Sequence, residues 1–210
     1  MTRERELMYD LGDHLAGLEV RPGANVLITG PPLVGKRRLG LRTLATGCDD
    51  AVVVTTREGA PRVRDEYRAL AEPREPLHVV DAVTEHVGRS ADASATRYVA
   101  SPAALTDIGV ACSEQLRRCH DDGGRTRLLL DSLTPPLLYS TLRTVFRFAH
   151  RLCSRVENAS ALGLYTVTAT AHGTEVLNTL AQLFDARIDL DADGTATVDL
   201  PGSEPRTVDR

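Results

Sequence analysis

Asn25-Val26-Leu27-Ile28-Thr29-Gly30-Pro31-Pro32-Leu33-Val34-Gly35-Lys36-Arg37-Arg38 is the stretch on which the fold of this chain turns. Its first five residues are an apolar run flanked by turn formers, which predicts a buried strand, and a helical stretch runs from Lys36 to about Thr46. Between them Gly30, Gly35 and Lys36 spell GxxxxGK. In a strand-loop-helix setting that spacing turns backbone N–H groups toward an anion, adds the positive end of a helix dipole, and brings an ammonium to the terminal phosphates. The candidate phosphate-binding residues are therefore Gly30, Pro31, Pro32, Leu33, Val34, Gly35 and Lys36, with Arg37 and Arg38 directly behind them. A ligand-free strand-to-helix turn is the competing expectation. Of the 25 Lys and Arg residues, Lys36 is the only lysine, and it lies inside this loop. A compact ammonium reaching between two phosphates is chemistry that arginine does not imitate.

The position after the lysine usually carries Ser or Thr, whose hydroxyl coordinates magnesium. Here it is Arg37. A guanidinium cannot ligate a cation, which leaves three consequences open. Magnesium is held weakly through Asp131 and water, or Arg37 itself neutralises phosphate, or hydrolysis has been lost.

Outward from the loop, apolar runs recur at Ala51–Thr56, Leu77–Val80, Arg127–Ser132 and Ala161–Ala169, and helical periodicity recurs around 61–70, 101–120, 138–156 and 175–184. Arg187–Leu190 and Thr195–Leu200 flank Asp193-Gly194 as a terminal hairpin. Strands alternating with helices predict an α/β three-layer fold: a mostly parallel central sheet, helices on both faces and a C-terminal hairpin. Ligands of such sheets bind at the carboxyl ends of the strands. Asp131 closes the fourth apolar run and is the candidate for magnesium. Glu58, just past the second run, is the candidate to polarise an attacking water. His172, beyond the fifth, is placed to sense a terminal phosphate.

At 210 residues and 42% hydrophobic, the chain is long enough for one core, and 1–210 is expected to form a single domain. Within it, Leu7, Met8, Leu11, Leu15 and Leu18 recur every three or four residues, predicting a helix over Glu4–Leu18 within an N-terminal helical segment, 1–22. Residues 81–100 are small, polar and aperiodic, and are expected to be an exposed, flexible loop. A net charge of −4 and a pI near 5.9 offer no basic field, so nucleic acid is not an expected partner. Cys48, Cys112, Cys119 and Cys153 form no CxxC pair and signal no zinc site. The charged start reads as no signal peptide, and no apolar run approaches the ~20 residues of a membrane helix, so the expected location is cytoplasmic, away from membranes.

The loop, Glu58, Asp131-Ser132-Leu133-Thr134 and Phe184-Asp185-Ala186-Arg187-Ile188 together resemble the RecA-like P-loop ATPases, most closely the KaiC-like branch found widely in archaea. Ser101-Pro102-Ala103-Ala104-Leu105-Thr106-Asp107-Ile108-Gly109 and Phe146-Arg147-Phe148-Ala149-His150 are similar to an uncharacterised group of halophilic archaeal proteins of this type. The resemblance spans nearly the whole chain. It implies a RecA-like core, ATP or ADP as the nucleotide, magnesium where the site admits it, self-association or a regulatory protein partner, and a role in switching. The expected function is a nucleotide-binding regulatory protein with weak or absent ATPase activity. An active ATPase of DNA recombination or repair and a nucleotide-free interaction scaffold are the alternatives.

Overall fold

The computed structural model describes residues 8–47, 49–70, 77–87, 96–119 and 124–209, together with the backbone alone of residues 120–121. The strands are β1 (Tyr9–Asp10), β2 (Glu19–Val20), β3 (Asn25–Thr29), β4 (Asp50–Thr55), β5 (His78–Asp81), β6 (Thr96–Tyr98), β7 (Thr126–Asp131), β8 (Leu162–Thr166), β9 (Ala186–Leu190), β10 (Thr195–Asp199) and β11 (Arg206–Asp209). The helices are α1 (Lys36–Leu44), α2 (Ala60–Arg68), α3 (Leu105–Asp121), α4 (Thr134–Tyr139), α5 (Leu142–Asn158) and α6 (Thr174–Ala181).

Among the described residues nine strands form one sheet in the order β11-β10-β9-β3-β8-β7-β4-β5-β6. From β9 to β6 every neighbouring pair is parallel. The β9–β10 and β10–β11 pairs are antiparallel and extend the sheet past β9. The parallel strands are apolar on both faces because helices cover both. On one face Val26, Ile28, Val53 and Leu129 pack with Leu39, Leu41 and Leu44 of α1 and Val63 of α2. On the other, Leu27, Val52, Val54, Leu128 and Leu130 pack with Ile108, Cys112 and Leu116 of α3 and Val145, Ala149 and Leu152 of α5. Alternation of period two in the strands thus feeds two separate cores. No helix among the described residues is long and apolar enough to cross a membrane.

Three expectations need correction. The described part of the N-terminal segment is no helix: β1 and β2 pair as an antiparallel ribbon around a 3-10 turn at Asp13–Leu15. Gly12, Ala16 and Gly17 all adopt positive φ, and Asp10 Oδ1 accepts from the Gly12 N–H at 2.7 Å, so the chain reverses where the periodicity suggested it would continue. Leu11, Leu15 and Leu18 are still buried, against α1. Residues 1–7 of that segment lie outside the described residues.

In the stretch 81–100, Asp81 is a buried strand end whose carboxylate accepts from the N–H groups of Ala60, Val83 and Thr84 and from the Thr84 hydroxyl. Thr96–Tyr98 is the edge strand β6, parallel to β5. Backbone pairing replaces the expected loop there, and 88–95 lie outside the described residues. Finally, Ser101-Pro102 opens a turn rather than the helix, with Ser101 Oγ accepting from the Ala103 N–H at 3.0 Å, and α3 starts at Leu105.

Candidate functional site

The carboxyl ends of β3, β4, β7 and β8 meet in one place. Thr55 lies opposite Asp131 across the β4–β7 pair, and Thr166 Oγ1 donates to Asp131 Oδ1 at 2.7 Å. Thr56 ties the ends of β4 and β7 together, donating from Oγ1 to the Ser132 carbonyl at 2.7 Å and accepting from the Ser132 N–H at 2.8 Å. Parallel pairing therefore brings Gly30, Glu58 and Asp131 to one edge although a hundred residues of chain separate the first from the last.

From β3 the chain enters the loop. Gly30 has φ of 148°, and a Cβ there would stand 2.4 Å from the Leu190 carbonyl oxygen at the end of β9. Only glycine lets the loop lie this close to the neighbouring strand. Gly35, with φ of 87°, is the N-cap of α1. Between them Leu33 also takes positive φ, at 64°, and is 99% exposed at the crest. Lys36, buried, curls back so that its ammonium donates to the carbonyls of Gly30, at 3.0 Å, and Pro31. Burial, reinforced by the nearby Arg57 charge and opposed by Asp131, pulls its pKa down to about 8. The Gly30 carbonyl also accepts from the Ala169 N–H at 3.0 Å. That bond braces the turn before His172 on the loop. Nε2 of His172 is buried without a hydrogen-bond partner, and burial lowers the ring's pKa.

Arg37 points away from the loop, into acid. Its Nε lies 2.9 Å from Asp131 Oδ2, its Nη1 3.3 Å from Glu66 Oε2 and its Nη2 3.5 Å from Glu58 Oε1. The Arg37 side chain is 14% exposed and that of Asp131 2%. The Nε–Oδ2 pair is close yet not aligned as a hydrogen bond, and both atoms lack any other partner. Glu58 and Glu66 are shared with Arg62, at 3.8 and 3.1 Å. Glu58 thus sits between two guanidinium groups, while its backbone is fixed by Thr55 Oγ1.

Arg38 projects outward beside Arg42, one turn on along α1. The two line a groove of about 470 Å³ with Leu33, Val34, Asp191 and Gly194, so the β9–β10 turn forms the groove's far wall. Of these groups, Glu66, Arg57, Thr166 and Arg42 carry no motif of their own, and the Asp193-Gly194 turn signals a hairpin without signalling the site. Glu66 at i+4 from Arg62 was the only local signal, and it reads as an ordinary surface pair.

The residues fit a phosphate and do not fit a magnesium ion. For the phosphate there are the glycine-bounded loop, the start of α1, Lys36 and Arg57. For magnesium, the usual hydroxyl is absent and Asp131 Oδ2 is already against a guanidinium. No group of three or more His, Cys, Asp or Glu side chains among the described residues is arranged to hold a metal ion.

The model of a family described as "Family of unknown function (DUF7504)" matches residues 23–190. No curated protein matches the chain. Among solved structures, the chain is similar to a KaiC-like protein of the hyperthermophilic archaeon Pyrococcus horikoshii OT3, with a TM-score of 0.64 and 16% identity over 96% of this chain and 88% of that one. At that identity the likeness is one of fold, and it agrees with the RecA-like α/β architecture expected from the sequence.

Proposed function

This chain belongs to that family of unknown function, and we propose that it is a nucleotide-binding regulatory protein of RecA/KaiC type with weak or absent ATPase activity. The observation that carries the proposal is the loop itself. A buried strand ends in Gly30, the loop closes at the positive-φ Gly35, and the chain's one lysine folds over the loop carbonyls at the start of α1. ATP or ADP would place its phosphates over Gly30–Lys36, drawing the Lys36 ammonium off the carbonyls, with Arg57 and Arg38 adding charge. The groove walled by Arg38, Arg42 and the β9–β10 turn has the size of a small-molecule site and would take the nucleoside.

Two features support weak turnover. The hydroxyl that would orient a metal is replaced by Arg37. Glu58, the one acid placed to polarise a water, faces two guanidinium groups instead. The exposed Leu138 and Tyr139 of α4, which follows directly from Asp131, would be covered by a second subunit or a regulatory partner that senses the nucleotide.

Calorimetric titration of ATP and ADP into wild type and Lys36→Ala tests the binding. Wild type is expected to bind, and the variant to lose about a hundredfold or more in affinity while remaining folded. No heat from wild type at millimolar nucleotide would make the loop a structural turn and the chain an interaction scaffold. Magnesium-dependent turnover at the rate of ordinary P-loop ATPases would remove the weak-ATPase part alone.

A further inference from the structure

We infer that Arg37 is a built-in cation that stands where a P-loop protein would hold magnesium, so that this site takes a nucleoside di- or triphosphate without its metal. The nucleotide half of the inference rests on the reading above; the displacement of the metal rests on geometry alone.

Three carboxylates from three elements converge behind the loop: Asp131 at the end of β7, Glu58 after β4 and Glu66 on α2. Left to themselves they would repel one another. The guanidinium of Arg37 reaches all three at 2.9 to 3.5 Å and is largely sheltered from solvent. A guanidinium is tied to the chain, and no chelator removes it.

It also leaves no room for magnesium. That ion demands oxygen ligands at about 2.1 Å in near-octahedral array, whereas the oxygen best placed to serve it, Asp131 Oδ2, has Arg37 Nε 2.9 Å away. The other oxygen of Asp131 accepts from Thr166. A metal bound there would meet a fixed positive charge, with both oxygens of Asp131 already engaged. The misaligned contact between Nε and Oδ2, each without another partner, marks a pair held by charge at that spot rather than by directed hydrogen bonding. Beside it, Lys36 and the start of α1 supply positive potential to the phosphates, while Arg37 neutralises the acids that magnesium would otherwise meet.

The experiment has two readouts. In the first, ATP is titrated calorimetrically into wild type and Arg37→Ser, once with excess EDTA and once with excess magnesium. Wild type is expected to bind equally in both, within about threefold. Arg37→Ser, which supplies a hydroxyl and frees Asp131, is expected to weaken about tenfold or more in EDTA and to recover in magnesium. In the second, melting is followed with magnesium alone and no nucleotide. Magnesium should raise the melting temperature of Arg37→Ser by several degrees and leave wild type unmoved.

Wild type that binds ATP only with magnesium, or is itself stabilised by magnesium alone, overturns the inference and leaves the nucleotide reading standing. Wild type that binds ATP under neither condition overturns both. Should Arg37→Ser fail to fold, the wild-type titrations decide the matter unaided.

Discussion

Lys36 and Arg37 are adjacent in sequence and sit in opposite surroundings. The ammonium of Lys36 faces carbonyl oxygens and a neighbouring cation, with no carboxylate in hydrogen-bond contact. Arg37 faces three carboxylates. One residue of helical rotation, roughly 100°, separates an ammonium bonded to carbonyls from a guanidinium that three carboxylates already face. The first half of the site is poised for a ligand, and the second is internally neutralised. A P-loop site ordinarily recruits both a nucleotide and a metal; under the reading proposed above, the division of charge along α1 calls for the nucleotide alone.

Three experiments would break or sharpen that contrast. The largest effect is expected from Gly30→Ala. The new Cβ would meet the backbone oxygen of Leu190, which cannot swing aside, at a φ that L-residues rarely adopt. Loss of about 3 kcal/mol or more in urea denaturation is expected, together with loss of nucleotide binding. A near-neutral outcome would mean that the loop is not held against β9.

Next is Asp131→Asn, which strips the most buried carboxylate from Arg37 while Glu58 and Glu66 remain. A cost of about 2 kcal/mol by the same measurement is expected, below that of breaking a wholly buried pair because two acids still face the guanidinium. No loss of stability would make the acidic half of the site dispensable.

The smallest effect is a pH dependence. Lys36 has a pKa of about 8 in the free protein, and a bound phosphate would raise it. The complex then holds the proton more tightly than the free protein, so affinity is full below about pH 8 and falls as pH rises past it, by at most about tenfold per unit. Titration in two buffers of different ionisation enthalpy should show proton uptake near pH 8. Proton release would reverse the assignment of Lys36 to the phosphate half.

How much of this was legible in the sequence follows from where each contact comes from. The strand-loop-helix of β3 and α1, the buried runs of β4, β7 and β8, the amphipathic α5 and the β9–β10 hairpin declare themselves through local periodicity and turn residues. Val53 between Val52 and Val54 already implies a strand covered on both faces. The departure at Arg37 was visible as well, but not its partners. Glu66 reaches it from a surface-like helix and Thr166 positions Asp131 from a strand whose end has no motif, because both contacts are made by sheet order rather than by spacing along the chain. The N-terminal segment misled for a local reason: its leucines keep helical spacing while Gly12 and Gly17 reverse the chain between them. Thr96–Tyr98 had no apolar pattern to announce it, since an edge strand is specified mainly by the free edge of β5 that it pairs with.

Because Lys36 is the chain's only lysine, every ε-amine adduct on this chain is an adduct on the Gly30–Lys36 loop. With its basicity drawn down toward neutrality, that amine is unprotonated more often than an ordinary lysine's, which is the form that acylating reagents attack. Acetylation, or any other adduct that neutralises this amine, would therefore remove the one side-chain charge of the Gly30–Lys36 loop.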